Sequence, residues 1–139
     1  MVSRVIPVDP FDLVIFGGTG DLAKRKILPG LFRRFVAGQM PSDASITGAA
    51  RAQLGDMAYR DVVWAAILEF GGAAPDEKML VDFLNKISYV RIDATGEDGW
   101  SQLAQGMQEG RVRAFYFSVA PSLFGALAER LKKHKIAFH

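Results

Sequence analysis

A glycine-rich turn between an apolar run and a helical pattern is the feature that most constrains the fold of this chain. Residues 12–16 (Asp-Leu-Val-Ile-Phe) are largely apolar and β-branched, which is typical of a buried parallel strand. The turn Gly-Gly-Thr-Gly-Asp-Leu-Ala follows at residues 17–23, and apolar residues at helical spacing continue to Val36. Pro29 lies inside this pattern and is expected to kink or interrupt the helix. Residues 12–36 therefore predict a unit of strand, turn and helix.

Strand and helix patterns alternate along the rest of the chain. Further strands are predicted at residues 44–49, 88–92 and 113–119, and further helices at residues 56–70, 75–86, 95–108 and from residue 121 onward. Pro75 predicts the start of the third helix, and Thr95 with Asp98 resembles a capping box that opens the fourth. This alternation predicts an α/β fold of the Rossmann type, with a doubly wound parallel sheet in three α/β/α layers. Right-handed crossovers give the expected strand order 3-2-1-4.

Length and composition limit the class of protein. The 139 residues suit one domain, and 50% hydrophobic with 23% charged residues is a globular balance. A net charge of +2 gives no reason to expect a nucleic-acid partner. Cysteine is absent, which excludes disulfides and thiolate metal sites. Residues 1–10 contain no apolar run of signal-peptide length, and no stretch of the sequence approaches membrane-spanning length, so we expect a cytoplasmic location and no membrane partner. We also expect no metal site.

The turn carries the residue types that phosphate binding requires. Gly17 can form the tight exit from the strand, Gly20 leaves room for a pyrophosphate, and Ala23 can replace the third glycine of a dinucleotide fingerprint. Free N–H groups at the start of the following helix would face the phosphates. Glycines also connect strands to helices where no ligand binds, so the flanking strand and helix are what favour a dinucleotide. A P-loop is excluded, because Asp21 and Leu22 replace its Lys and Ser or Thr.

The end of the second predicted strand indicates which dinucleotide binds. NAD-binding proteins usually place an acidic residue there, which accepts hydrogen bonds from the ribose 2′-hydroxyl. Residues 49–53 (Ala-Ala-Arg-Ala-Gln) contain no acid, and Arg51 could pair with a 2′-phosphate. Arg51 could instead be an ordinary exposed arginine. The absence of an acid favours NADP as the cofactor.

The same segments resemble a known family. The stretch GGTGDLAKRK at residues 17–26, followed by Leu-Pro at residues 28–29, closely resembles the N-terminal signature of glucose-6-phosphate dehydrogenases. Residues 48–51 (GAAR) are similar to that family's second-strand end, and residues 115–121 (FYFSVAP) to its fourth strand and following turn. The resemblance implies that residues 1–139 are the NADP-binding domain of an enzyme that oxidises glucose 6-phosphate to 6-phosphogluconolactone, the first step of the pentose phosphate pathway.

The resemblance also implies roles for particular residues. The glycine-rich turn would hold the pyrophosphate, and Thr19 and Arg51 would hold the adenosine 2′-phosphate. Lys26 would lie near the phosphate of the substrate, although it could equally be an exposed helix lysine. Asp93 would lie near the cofactor, and residues 120–121 beside the nicotinamide ribose. The implied cofactor-binding residues are Gly17, Gly18, Thr19, Gly20, Asp21, Leu22, Ala23, Arg51, Asp93, Ala120 and Pro121.

The reacting half of the family's site is not in this sequence. The family carries a Glu-Lys-Pro motif and a His-Tyr-Leu-Gly-Lys segment with the proton-abstracting His, and neither occurs here. His134 and His139 match no catalytic position. Phe124 stands where some relatives have Tyr, so a hydroxyl contact with the cofactor is absent. We therefore expect no catalytic residue, no activity from these residues alone, and a substrate and dimerisation domain C-terminal to them in a homo-oligomeric full-length enzyme.

Two alternatives stay open on the sequence. Another Rossmann oxidoreductase, such as a nucleotide-sugar dehydratase or epimerase, would need a Tyr-x-x-x-Lys pair, but Tyr59, Tyr89 and Tyr116 have no Lys four residues on. A non-catalytic nucleotide-binding module would suit the short chain, although Lys26 speaks weakly against it.

Overall fold

A parallel four-stranded sheet forms the centre of the molecule. The computed structural model describes residues 9–72 and 74–137, so the prediction for His139 lies outside the described residues. The strands are β1 (Phe11–Phe16), β2 (Ser45–Ala50), β3 (Ile87–Arg91) and β4 (Val112–Phe117). Their order is β3-β2-β1-β4, and each pairing is parallel. The predicted strand order is therefore confirmed.

Helices cover both faces of this sheet. The α-helices of the described residues are α1 (Leu28–Val36), α2 (Asp56–Phe70), α3 (Glu77–Leu84), α4 (Trp100–Gly106) and α5 (Phe124–Lys133). Because side chains alternate along a strand, Leu13 and Ile15 of β1 pack with α1, α2 and α3, whereas Val14 and Phe16 pack with α4 and α5. Both faces are thus buried, and the predicted three-layer arrangement is confirmed. Within the described ranges, no helix is long and apolar enough to cross a membrane.

The first helix is interrupted near its proline, as predicted. A π-helical turn, Ala23–Ile27, comes directly before α1, and the N–H of Leu28 donates to the carbonyl oxygen of Ala23. Pro29 lies in the first turn of α1 and has no N–H to donate. The π-helical turn therefore lies beside Pro29, the residue that cannot donate the usual hydrogen bond of an α-helix.

The predicted start of the fourth helix at Thr95 is wrong. The Thr95 N–H and hydroxyl both donate to Asp93 Oδ1, at 3.0 and 3.1 Å, so this threonine closes a turn instead of capping a helix. Helix α4 begins later, at Trp100, directly after Gly99 with its positive φ of 85°. A capping hydroxyl would accept an N–H three residues on, whereas the Thr95 hydroxyl donates to Asp93, and the predicted helix boundary is therefore not formed.

The third helix also starts later than predicted. Asp76 is its N-cap, since its carboxylate accepts the N–H of Met79 at 3.2 Å, and the helix proper begins at Glu77. Pro75 therefore precedes the helix and is not part of its first turn. The helix ends at Leu84, two residues before the predicted end at Lys86.

Candidate functional site

The glycine-rich turn leaves β1 through a backbone conformation that favours glycine. Gly17 has a φ of 79°, and a Cβ there would collide with the carbonyl oxygen of Ser118, directly after β4. Its N–H donates to the carbonyl oxygen of Ala49 in β2 at 2.8 Å. The N–H of Gly20 turns back onto the carbonyl oxygen of Gly17 at 2.9 Å. The predicted tight turn at Gly17 is confirmed, and it packs against residues from β2 and from the end of β4.

Several backbone N–H groups of the turn are unpaired. Those of Thr19, Asp21 and Leu22 have no backbone acceptor in the part of the chain that the structure describes. The first hydrogen bond of the helical pattern is donated by the N–H of Lys24 to the carbonyl oxygen of Gly20, at 3.1 Å. Unpaired N–H groups at the start of a helix form an anion-binding arrangement, because the helix dipole adds to their partial positive charge. The N–H of Gly18 instead contacts β2 at 3.4 Å, so it helps to build the turn.

A buried tyrosine supports the turn from the protein interior. Tyr59 of α2 is fully buried, and its hydroxyl donates to the carbonyl oxygen of Gly18 at 2.9 Å. A Cβ at Gly48 of β2 would overlap the tyrosine ring, and one at Gly18 would lie 2.7 Å from the hydroxyl oxygen. Burial, with the neighbouring Tyr89, raises the pKa of Tyr59, so the hydroxyl stays protonated and can donate. The sequence pattern did not reveal this contact, although a glycine inside a strand is a signal of close approach.

One apolar cleft lies at the carboxyl ends of the four strands. Its volume is about 250 Å³. Its lining includes Phe16 at the end of β1 with Gly17 and Thr19 after it, residues 49–52 across the end of β2, Ala94 after β3 and Val119 after β4. The order of the sheet reverses between β1 and β4, and ligands of doubly wound proteins bind at such a switch point. The cleft therefore lies where a dinucleotide binds in this fold class.

Arg51 lies on this cleft, and its side chain is not hydrogen-bonded to the described residues. It is exposed and lines the cleft, and its guanidinium makes no ion pair within 4 Å and no hydrogen bond with the described residues, although its charge contributes to lowering the pKa of Asp93. Its backbone carbonyl is held by Arg91 Nε at 3.0 Å. The nearest acidic residue along the chain, Asp56, accepts the N–H of Tyr89 at 2.8 Å. The end of β2 thus presents the guanidinium of Arg51, and the four residues after Arg51 contain no carboxylate.

Asp93 organises the loop between β3 and α4. Its carboxylate accepts the N–H and the hydroxyl of Thr95, and these hydrogen bonds, with the charge of Arg51, lower the pKa of Asp93. Its carbonyl oxygen accepts Trp100 Nε1 at 2.9 Å and the N–H of Gly96 at 3.2 Å. Asp93 itself does not line the cleft, whereas the next residue, Ala94, does. The carboxylate of Asp93 therefore holds the loop whose residue Ala94 forms part of the cleft wall.

The other predicted site residues lie outside the cleft lining. Asp21 is exposed and pairs with Arg25 at 3.0 Å, and Ala23 is fully buried in the core. Residues 120–121 are exposed, immediately after Val119 of the cleft. At the turn, Leu22 is exposed and Gly18 is buried. The structure thus brings Gly17, Thr19 and Arg51 together.

Lys26 lies in a separate surface groove. This groove has a volume of about 480 Å³ and also contains Arg33 and Arg34 of α1. All three side chains belong to exposed residues, so the groove concentrates positive charge. The structure does not bring Lys26 into the cofactor cleft.

The residues at the cleft fit a dinucleotide. The turn supplies unpaired N–H donors, Arg51 supplies a cation, and the cleft wall is apolar as a base requires. The buried hydroxyl of Ser118, between β4 and Val119, has no hydrogen-bond partner in the described part of the chain. Within residues 9–72 and 74–137, no group of three or more acidic or His residues could hold a metal ion.

Comparison with known proteins identifies relatives of this chain. Residues 14–139 match the family described as glucose-6-phosphate dehydrogenase, NAD binding domain. The glucose-6-phosphate 1-dehydrogenase of Rhizobium meliloti (strain 1021) is 42% identical over 139 residues, covering 98% of this chain and 28% of that protein. The enzyme of the same name from Gluconobacter oxydans (strain 621H) is 41% identical, covering 93% and 27%. The chain therefore spans little more than a quarter of the length of these curated relatives.

Solved structures with the same name share the fold. Glucose-6-phosphate 1-dehydrogenase from Mycobacterium avium has a TM-score of 0.83 at 27% identity, over 92% of this chain and 28% of that chain. A glucose-6-phosphate dehydrogenase in complex with its substrate glucose 6-phosphate has a TM-score of 0.79 at 26% identity, over 96% and 29%. The matched domain is an NAD-binding one, so a nicotinamide dinucleotide is the supported class of cofactor. The chain belongs to the glucose-6-phosphate dehydrogenase family and corresponds to its NAD-binding domain.

Proposed function

We propose that this chain is the NADP-binding part of an enzyme that oxidises glucose 6-phosphate to 6-phosphogluconolactone. The observation that carries the proposal is that Thr19, the first of the turn residues with an unbonded N–H, and Arg51 line the same cleft. The first matches a pyrophosphate and the second a 2′-phosphate, which NADP has and NAD lacks. The absence of a carboxylate in residues 49–53 supports the same choice.

Each part of the cofactor has a counterpart among these residues. The N–H groups of Thr19, Asp21 and Leu22 would bind the pyrophosphate, while Thr19 and Arg51, which both line the cleft, would bind the 2′-phosphate. Asp93 would fix the loop that forms one wall, and residues 120–121 would lie beside the nicotinamide ribose. When bound, the nicotinamide supplies the hydride acceptor for C1 of the sugar. The chain's own residues bind and orient this cofactor.

The groove around Lys26 would receive the phosphate of glucose 6-phosphate. Lys26, Arg33 and Arg34 give it three cationic side chains, which suit a dianionic group. No described residue is assigned as the proton-abstracting base. We therefore propose that these residues alone form no NADPH from glucose 6-phosphate, and NADPH absorbance would detect any turnover. The pentose phosphate pathway, a cytoplasmic location and a homo-oligomeric full-length enzyme stay predictions.

Calorimetric titration with NADP and NAD tests the proposed cofactor. We expect Arg51→Ala to weaken NADP binding by about 10- to 150-fold, because a hydrogen bond to a charged group contributes about 1.5–3 kcal/mol. NAD binding should be unchanged, since NAD has no group for Arg51 to hold. Lys78→Ala is the matched control, because it removes one positive charge from an exposed position on α3. Equal NADP affinity in the wild type and Arg51→Ala would contradict the proposal.

A further inference from the structure

We propose that Tyr59 and Tyr89 are positioning residues that separately hold the two halves of the cofactor site. Tyr59 would set the pyrophosphate turn, and Tyr89 would set the loop that carries Arg51. The inference rests on the proposed NADP-binding function and adds to it two residues that line no part of the cleft. Each acts through a carbonyl oxygen of the site's backbone.

The hydroxyl of Tyr59 determines where the turn lies relative to α2. It donates to the carbonyl oxygen of Gly18 at 2.9 Å, and the ring is fully buried. Gly18 immediately precedes Thr19, whose N–H is the first unpaired donor after β1. The ring fits because Gly48 beneath it has no side chain. A shift of the Gly18 carbonyl would therefore move the peptide group that contains the Thr19 N–H.

The hydroxyl of Tyr89 acts in the same way on the other half. It donates to the carbonyl oxygen of Ala52 at 2.6 Å, one residue after Arg51. The backbone N–H of Tyr89 is itself held by Asp56 at 2.8 Å, at the first residue of α2. Arg91, two residues along β3, holds the carbonyl oxygen of Arg51 at 3.0 Å. Strand β3 thus fixes two successive carbonyl groups of the loop.

The two tyrosines are in contact but have separate targets. Their ring centroids are 5.0 Å apart at an interplanar angle of 38°. Replacing either by Phe keeps the ring and removes only the hydroxyl, so packing is preserved and one backbone carbonyl loses its donor. The pyrophosphate is common to NADP and NAD, whereas only NADP has the group that Arg51 would bind. The two substitutions should therefore have different nucleotide selectivities.

Calorimetric titration of the 139-residue chain with NADP and with NAD tests this inference. We expect Tyr59→Phe to weaken binding of both nucleotides by about fivefold, which corresponds to about 1 kcal/mol. We expect Tyr89→Phe to weaken NADP binding by about fivefold and to leave NAD binding within about twofold of the wild type. Tyr116→Phe is the matched control, because this tyrosine is exposed on β4 and does not line the cofactor cleft.

The outcomes separate this inference from the function on which it rests. A wild-type chain that binds NADP, with both variants at wild-type affinity, would overturn the inference and leave the function standing. Equal weakening of NADP and NAD by Tyr89→Phe would also overturn it, because a general loss of structure has no nucleotide preference. A wild-type chain that binds neither nucleotide would overturn the proposed function and the inference with it. Thermal unfolding of each variant confirms that folded protein is being titrated.

Discussion

Asp12 is a buried carboxylate that ties three separate segments together, and its replacement by Asn should destabilise the fold strongly. It is 3% exposed at the start of β1. Its Oδ1 accepts the hydroxyl of Ser45 at 2.6 Å and Arg111 Nη1 at 3.2 Å, while its Oδ2 accepts the N–H of Gln108 at 3.0 Å. Every polar contact of the carboxylate is therefore with a donor.

The cost of Asp12→Asn follows from this pattern of donors. Asn has one carbonyl oxygen and one NH2 group, so it cannot accept hydrogen bonds at both positions. If its oxygen faces Ser45 and Arg111, its NH2 group opposes the N–H of Gln108. In the reverse orientation the Ser45 hydroxyl can rotate to accept from the NH2 group, but the guanidinium of Arg111 then faces a donor. Arg111, whose side chain is 18% exposed, also loses its ionic partner. Lost charged hydrogen bonds and a partly buried unpaired cation together cost about 2–4 kcal/mol.

Urea unfolding followed by tryptophan fluorescence measures this loss. Trp100 is fully buried, so its emission should change when the chain unfolds. Asp61→Asn is the matched control, because it makes the same chemical change at an exposed position on α2. A loss below about 1 kcal/mol for Asp12→Asn, or an equal loss for the control, would refute the reasoning.

The pH dependence gives an independent check on the same group. Burial raises the pKa of Asp12, but the hydrogen bonds from Ser45, Gln108 and Arg111 outweigh it and hold the pKa below 3.8. A carboxyl with a lowered pKa in the folded state stabilises the fold above its unfolded pKa, and this contribution is lost as the pH falls through the folded pKa. The stability difference between the wild type and Asp12→Asn should therefore shrink below about pH 4. A difference that stays constant into this acidic range would show that charge is not its cause.

Three further substitutions test other contacts, with urea unfolding as the measurement. Gly48→Ala should cost at least about 1–3 kcal/mol, because its Cβ would overlap the ring of Tyr59, and an unchanged midpoint would exclude that overlap. Asp76→Ala should cost about 1 kcal/mol, because it removes the cap on the Met79 N–H, whereas Asp76→Asn should restore most of it. Arg130→Lys should cost about 1 kcal/mol, since one ammonium cannot reproduce the guanidinium's paired contacts of 2.7 and 3.0 Å with two loop carbonyls, and full stability in Arg130→Lys would show those contacts to be weak.

Features encoded within a few residues could be predicted from the sequence. The helix predicted at residues 56–70 is α2 with the same bounds, and the apolar run before the glycines is β1. Gly17 has the positive φ that a tight exit from a strand needs. Arg51 lies on the cleft because it follows β2, and the carboxyl ends of parallel strands meet at one edge of a sheet. Periodicity and strand order therefore locate both residues.

Contacts that depend on competition between hydrogen-bond partners could not be predicted in this way. Asp12 and Gln108 are 96 residues apart, and neither occurs in a pattern that indicates their hydrogen bond. Thr95 matched a helix-capping pattern, but Asp93 captures its donors from only two residues away. In each case the structure depends on which acceptor binds a given donor, and the local sequence pattern does not determine that choice.

The three glycines of the turn lack side chains for different physical reasons. Gly17 needs its positive φ and its closeness to Ser118, and Gly18 needs the space that the hydroxyl of Tyr59 occupies, so packing alone would require both glycines without any ligand. Gly20 has no positive φ, and among the described residues a Cβ there would meet only the carbonyl oxygen of Gly17, at 3.1 Å. A small shift would relieve that contact, so packing constrains Gly20 least. Of the features of this turn, only Gly20 and the unpaired N–H groups around it point to a nearby phosphate, which explains why a glycine pattern alone is weak support for a nucleotide site.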